Sequence, residues 1–162
     1  MIKGTKANTL ENLSSKIIHF IIPKSYIFTA YEWFKRKDII KTNIKNKFRD
    51  KKIIIRSSAS SEDTKESSLA GAFDSILNIN IKNSKKINDS INKIIRGYKS
   101  KINNFKNEQI LIQEMIQDIK MSGVIFTGDN MGYQNYYSIN YDDITGRTDT
   151  VTSGSSEHSN KT

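Results

Sequence analysis

Cysteine is absent from this 162-residue sequence, and proline (one residue), tryptophan (one) and histidine (two) are nearly so. Without cysteine the chain has no disulfide framework, no thiolate metal site and no cysteine nucleophile. It also lacks the run of about 18 apolar residues that a membrane helix needs. No apolar stretch precedes a small-residue cleavage site, as a secretory signal would require. These absences predict a cytoplasmic, soluble protein.

Arginine is scarce as well, although the chain is strongly basic. Lysine and arginine total 26 residues against 17 acidic ones, a net charge of +9, yet only five of them are arginine. Residues 1–106 carry a net charge of +14, whereas residues 107–162 carry −5. Arginine forks and exposed aromatic rings, which favour nucleic-acid binding, are few. A solvated lysine surface is therefore the favoured interpretation, with a nucleic-acid-binding module as the alternative.

The apolar pattern predicts an α+β fold with a mixed or antiparallel sheet and flanking helices. Helices are expected within the first 17 residues, after an N-cap at Thr29 and after an N-cap at Ser84, where apolar side chains recur every three or four positions. The apolar stripe of the last helix comprises Ile87, Ile91, Ile94, Ile95, Tyr98 and Ile102. Strands are expected over 18–28, 52–56, 73–81, 109–116, 122–127 and 134–141. From Thr145 onward the residues are small and polar, so we expect that region to be loose.

The most informative stretch joins a buried strand to a hydroxyl-rich loop. Three isoleucines at 53–55 lead into Arg56, and a polar segment continues through Glu62 and Asp63. An arginine at a strand end is held in place by the sheet, which suits it to clamp phosphate oxygens. Small residues at 68–71 let backbone N–H groups approach a phosphate closely. The alternative is a surface loop in which Arg56 pairs with one of the two carboxylates.

Five short motifs follow one another along the chain. They are Gly-Thr-Lys-Ala at 4–7, Arg-Ser-Ser-Ala at 56–59 with Glu62-Asp63, Leu-Ala-Gly-Ala-Phe at 69–73 followed by Leu77-Asn78, Ile-Gln-Glu-Met-Ile at 112–116, and Ser-Gly-Val-Ile-Phe-Thr at 122–127. In this order they resemble the N-terminal nucleotide-binding domain of phosphoenolpyruvate synthase and pyruvate phosphate dikinase. The resemblance covers roughly residues 2–154.

This resemblance implies the N-terminal part of an ATP-grasp type fold, holding ATP with Mg²⁺ between two α+β subdomains. Residues 1–154 would form the partial nucleotide-binding domain and residues 155–162 a loose polar tail. Lys6 and Arg56 would be the catalytic residues, because their charges would stabilise the transferring phosphoryl group. For Lys6 the alternative is one more surface lysine.

The resemblance also implies which residues hold the nucleotide. The loop 68–71 would close over the phosphates, and the strand at 113–116 would form the hinge that grips the adenine ring. The implied ligands are Lys6, Arg56, Ser68, Ala70, Gly71, Gln113, Glu114, Met115 and Ile116. For Gln113 and Met115, ordinary strand packing is the alternative.

The chain departs from the family pattern where a metal-binding glutamate is expected. Asp142, Asp143 and Asp149 are the candidate Mg²⁺ ligands there, and an acidic turn is the alternative. The stretch at 142–149 resembles a subgroup whose activity is that of L-glutamine kinase in capsule biosynthesis.

The family transfers phosphoryl groups through further domains, one with a phosphorylated histidine and one for the final acceptor. His158 lacks the preceding glycines and the following apolar helix of a phosphohistidine site. We therefore expect part of an ATP-dependent phosphotransferase whose acceptor is pyruvate or the glutamine amide. An inactive fragment of a truncated gene is the alternative.

Overall fold

The computed structural model describes residues 4–60, 75–127, 137–148 and 150–151, and the backbone of residues 160–161. The helices are α1 (Lys6–Ser14), α2 (Ala30–Phe48) and α3 (Ser84–Lys101), with a 3-10 turn at Phe105–Asn107. The strands are β1 (Ser25–Thr29), β2 (Lys52–Ser58), β3 (Ser75–Asn80), β4 (Gln109–Glu114), β5 (Ser122–Phe126), β6 (Ser138–Asp142) and β7 (Asn160–Lys161). The chain divides into two units, Met1–Met115 and Ile116–Thr162.

The first unit is built on a four-stranded antiparallel sheet with the strand order β1-β4-β2-β3. Helices α2 and α3 contribute to one hydrophobic core with apolar residues of this sheet. Five of the six residues of the predicted apolar stripe are buried on α3, at Ile87, Ile91, Ile94, Ile95 and Tyr98. The sixth, Ile102, is the C-cap of the helix and is half-buried. The predicted α+β class with flanking helices is thus confirmed, and every strand pair among the described residues is antiparallel.

Two helix starts show how local polar residues set the element boundaries. The predicted cap at Thr29 is present, because its hydroxyl accepts a hydrogen bond from the backbone N–H of Glu32. The Glu32 carboxylate in turn accepts from the backbone N–H of Thr29, which completes a capping box. For α3 the predicted cap, Ser84, is wrong by one residue. Asn83 caps this helix instead, since its amide oxygen reaches the N–H of Lys86 at 2.9 Å.

The second unit contains a three-stranded antiparallel sheet with the order β5-β6-β7. Strand β7 pairs Asn160 with Tyr141 and Lys161 with Asn140. The tail at 155–162 therefore includes a short strand where looseness was expected, because the outer edge of β6 offers backbone partners.

The domain boundary at 154 stays a prediction. No described helix is long and apolar enough to cross a membrane.

Gly123 on β5 lies opposite Tyr141 on β6. A Cβ atom added to it would lie 2.6 Å from the backbone oxygen of Asn140 and 3.1 Å from the Cβ of Tyr141. Because the nearest atom is backbone, the strands must separate to admit a methyl group. We expect Gly123→Ala to destabilise the second unit by about 1–3 kcal/mol. Urea unfolding followed by methyl NMR signals of Ile139 measures this loss.

The control for that substitution is Thr127→Ala, at an exposed position just beyond the same strand. It is expected to change the unfolding free energy by less than about 0.5 kcal/mol. Equal effects of the two substitutions would contradict the steric explanation.

Candidate functional site

Strands β2 and β4 place alternate side chains on opposite faces of the sheet. On one face, Ile53, Ile55, Ile110 and Ile112 enter the core shared with α2 and α3. The register pairs Ile54 with Gln113, Arg56 with Leu111, and Ser58 with Gln109. These six residues form the other face, which we call the polar face because four of them are polar; Ser58, Leu111 and Gln113 on it are buried. It unites Arg56 and Gln113, which are 57 positions apart in sequence.

Arg56 lies near the centre of the polar face. Its Nη1 atom is 3.4 Å from the Oε1 atom of Gln113, a long hydrogen bond between neighbouring strands. Arg56 is half-buried, whereas Gln113 is only 6 % exposed. A guanidinium group carries five N–H donors, so this bond uses a small part of its capacity. The carboxylates of Glu62 and Asp63, considered above as partners of Arg56, lie outside the described residues.

The start of helix α1 is hydrogen-bonded to the same polar face. The backbone N–H of Ala7 donates to the hydroxyl of Ser58 at 2.9 Å. The hydroxyl of Thr5, the N-cap of α1, donates to the amide oxygen of Gln109. The amide nitrogen of Gln109 then donates to the side-chain oxygen of Asn8 at 2.9 Å. Three bonds that span about 50 to 100 positions of sequence thus dock the first turn of α1 on this face.

Lys6 is the first residue of α1 and is half-buried. Its chain neighbours Thr5 and Ala7 are the residues docked on the polar face. A helix N-terminus carries a partial positive charge and N–H groups that favour an anion. The structure therefore brings two sequence-predicted cationic residues, Lys6 and Arg56, to elements on one side of the sheet.

Tyr98 supports this docking from the opposite side of the sheet. Its hydroxyl accepts a hydrogen bond from the backbone N–H of Ser58 at 2.8 Å. It donates to the backbone oxygen of Gln109 at 2.6 Å. The side chain is fully buried. Sequence analysis placed Tyr98 only in the apolar stripe of α3, and a tyrosine among isoleucines is the signal that a buried hydroxyl needs partners.

Glu108 is a second residue that the sequence analysis missed. One of its carboxylate oxygens accepts a hydrogen bond from the backbone N–H of Ser60 at 2.7 Å, and the other accepts one from the Ser60 hydroxyl at 2.8 Å. Glu108 is only 7 % exposed. The bonds hold the chain just beyond β2, two residues after Ser58. The available signal in the sequence was a charged residue directly before a buried strand, since a buried carboxylate needs hydrogen-bond donors.

The predicted hinge at 113–116 begins in β4 and crosses the boundary between the two units. Gln113 lies on the polar face, and the Glu114 carboxylate forms an ion pair with Lys51 at 3.1 Å. The backbone N–H of Met115 donates to the oxygen of Lys52 at 2.9 Å, which extends the pairing of β4 by one residue. Ile116 is 57 % exposed.

Ser68, Ala70, Gly71 and Asp149, which were predicted to bind phosphate or metal, lie outside the described residues. Of the other metal candidates, Asp142 is buried at the end of β6. Its carboxylate accepts hydrogen bonds from the backbone N–H groups of Ile144 and Thr145, each at 2.9 Å, and from the hydroxyl of Thr145. Within the described part of the chain, no three acidic or histidine side chains cluster to hold a metal ion.

The Thr145 hydroxyl, followed by the Thr145 backbone N–H, holds the pKa of Asp142 well below its usual range. The unfolded carboxyl has an ordinary pKa of about 4, so the unfolded state binds a proton first as the pH falls. We therefore expect the stabilisation from Asp142 to be complete above about pH 5 and to be lost at lower pH. In Thr145→Ala the pKa rises toward its usual value. A carbon-13 NMR titration of the Asp142 carboxyl measures this, and an unchanged pKa would contradict the assignment.

The chain matches a family model described as "Pyruvate phosphate dikinase, AMP/ATP-binding domain" over residues 6–153. The chain belongs to this family. The matched range begins at Lys6 and includes α1, the whole polar face and the β5–β6 hairpin. No curated protein matches the chain.

Membership in the dikinase AMP/ATP-binding family confirms the predicted family and its ATP-grasp-like α+β fold. It also makes the chain an ATP-binding domain. The family match says nothing about individual residues, so the roles of Lys6, Arg56 and Gln113 in ATP binding stay predictions.

Proposed function

We propose that the chain binds ATP on the polar face of the first unit, as the nucleotide-binding domain of a phosphotransferase. The observation that carries this proposal is the convergence of Arg56, Gln113 and the start of α1 on one side of the sheet. Arg56 and Lys6 act on the phosphates, because fixed positive charges stabilise the charge that spreads over a transferring phosphoryl group.

We propose that the nucleotide lies extended along β4 on this face. Gln109 contacts α1 at one end, and Met115 follows the other end. Six residues of extended strand span about 20 Å. Arg56 lies opposite Leu111, between these two ends. In our proposal the phosphates lie toward α1 and Arg56, and the adenine ring lies toward Gln113, Met115 and Ile116.

The Glu114 carboxylate is paired with Lys51. The Glu114 backbone N–H donates to the oxygen of Lys24 at 2.9 Å. We therefore propose that Glu114 shapes the hinge as part of β4 and not through its charge. Ser68, Ala70 and Gly71 are proposed to contact the phosphates through backbone N–H groups, as small residues allow.

Magnesium is proposed to enter with the ATP phosphates, since Mg²⁺ commonly binds through phosphate oxygens and only one or two carboxylates. The described residues do not assemble a site for the ion by themselves. The Asp142 carboxylate already accepts hydrogen bonds from its own turn, and Asp142, Asp143 and Asp149 all stay the proposed protein ligands.

Beyond ATP, we propose transfer of the phosphoryl group to a histidine on a separate domain and then to pyruvate or to the amide of glutamine. The stretch at 142–149 supports the glutamine acceptor and a role in capsule biosynthesis. Mass spectrometry of the products, with this domain, a phosphohistidine domain and an acceptor domain supplied together, distinguishes phosphorylated pyruvate from phosphorylated glutamine. Formation of neither product would contradict the transfer.

A thermal-shift titration tests ATP binding. At an ATP concentration of about one hundred times the dissociation constant, binding stabilises the folded state by ~2.7 kcal/mol. For a chain of this size that raises the melting temperature by about 5–10 °C. Duplex DNA serves as the comparison, because a lysine-rich nucleic-acid module would bind it with a steep salt dependence. Stabilisation by DNA without stabilisation by ATP would overturn the proposal.

A further inference from the structure

Strand β3 contains a bulge that the proposed function has not used. Ile53 pairs with Ile79 and Ile55 pairs with Ile76, so Leu77 and Asn78 together face the single residue Ile54. One extra residue in a strand is the definition of a β-bulge, and bulges often occur beside functional sites, where they re-aim a side chain. Leu77-Asn78 is also the pair that the sequence comparison singled out.

Asn78 takes the backbone conformation that this bulge requires. Its φ angle is +55°, in the left-handed region that most residues avoid and asparagine tolerates. The Asn78 side chain is exposed. The residue type at this position is therefore explained by its backbone angle and not by packing.

The bulge holds a residue of the predicted adenine hinge. The backbone N–H of Asn78 donates to the sulfur of Met115 at 3.3 Å. The backbone N–H of Met115 donates to the oxygen of Lys52 on β2. Met115 is thus anchored through its backbone to β2 and through its side chain to β3. Without the second contact the methionine side chain, with three rotatable bonds, would be among the most flexible.

We propose that Asn78 is a positioning residue of the nucleotide site, which acts by holding the Met115 side chain where it contacts the adenine ring. The inference rests on the proposed function, since it needs ATP to lie beside Met115. Asn78 itself does not touch the nucleotide. In this proposal the bulge contributes to binding of the adenosine part of ATP, whereas Arg56 and Lys6 contribute to binding of the phosphates.

Two substitutions at Asn78 separate backbone geometry from side-chain chemistry. Asn78→Gly keeps the positive φ angle at little cost, and we expect its affinity for ATP to stay within about twofold of the original. Asn78→Val is incompatible with that angle, and we expect it to weaken binding of both ATP and adenosine by about fivefold to tenfold. Isothermal calorimetry measures each dissociation constant.

Inorganic tripolyphosphate distinguishes a positioning role of Asn78 from a merely structural one, because it binds the phosphate part of the site and lacks the adenine ring. The Asn78→Val substitution is expected to leave its affinity within about twofold, because Arg56 and the start of α1 are untouched. A second variant, Met115→Leu, keeps the side-chain volume and removes the sulfur acceptor. In that background the effect of Asn78→Val on ATP affinity should shrink below about twofold, since coupled residues are non-additive.

Equal losses for ATP and tripolyphosphate, or an undiminished effect of Asn78→Val beside Met115→Leu, would overturn the positioning role. Absence of ATP binding by the unsubstituted chain would instead overturn the proposed function. The two failures are therefore distinguishable in one series of titrations.

Discussion

Arg56→Ala is expected to weaken ATP binding by about thirtyfold to a hundredfold, which corresponds to ~2–3 kcal/mol for a charge-assisted hydrogen bond to phosphate. The expected loss is large because β2 fixes the guanidinium group on the polar face. Its side-chain contact among the described residues is the 3.4 Å bond to Gln113. Calorimetric titration with ATP measures the effect, and the ATP-dependent rise in melting temperature should fall to about a third or less of its original size.

The matched control for this prediction is Arg96→Ala. Arg96 is exposed on α3, which packs against the opposite face of the sheet. Its removal takes away the same charge and should leave the ATP affinity unchanged. Arg56→Lys should recover only part of the binding, because an ammonium group lacks the planar fork of donors. Equal losses in the two alanine variants would show that overall charge, and not position, governs binding.

Tyr98→Phe is expected to have the largest effect on stability. Removal of the hydroxyl leaves the backbone N–H of Ser58 without its partner at 2.8 Å and the oxygen of Gln109 without its donor at 2.6 Å. Each buried group left unsatisfied costs about 1–3 kcal/mol. We therefore expect the unfolding free energy to fall by about 2–4 kcal/mol and the melting temperature by roughly 5–15 °C.

The single tryptophan makes this loss measurable in the first unit. Trp33 is 2 % exposed in the core, and its fluorescence reports unfolding of that unit. Tyr31→Phe is the control, because the Tyr31 ring is 50 % exposed and no hydrogen bond of its hydroxyl is seen among the described residues. A Tyr98→Phe variant that melts within about 1 °C of the original would contradict the supporting role of the hydroxyl.

The local elements were predictable because they depend on neighbouring residues. The isoleucines of α3 recur at helical spacing, and Thr29 is followed three positions later by Glu32, so both the buried face and the capping box follow from sequence. The cap of α3 was misplaced by one residue for the same local reason, since Asn83 and Ser84 are both good capping residues.

The candidate site was predictable only in part. Motif resemblance selected Arg56, Lys6 and Gln113. It did not select Gln109, whose side chain joins α1 to the sheet across about one hundred positions of sequence. Nor did it select Glu108, whose buried carboxylate holds Ser60. Such pairings depend on strand register, which no local pattern reports.

The apolar pattern was sufficient to predict an α+β fold, and the order of the five motifs was sufficient to identify a nucleotide-binding domain of the dikinase family. Which side chains share one face depended on folding. The pairing of Arg56 with Leu111 puts the guanidinium group beside Gln113, and a shift of one residue would send it into the isoleucine core. The positive φ angle of Asn78 likewise arises from the unequal pairing of β2 and β3, because the extra residue must leave the extended conformation.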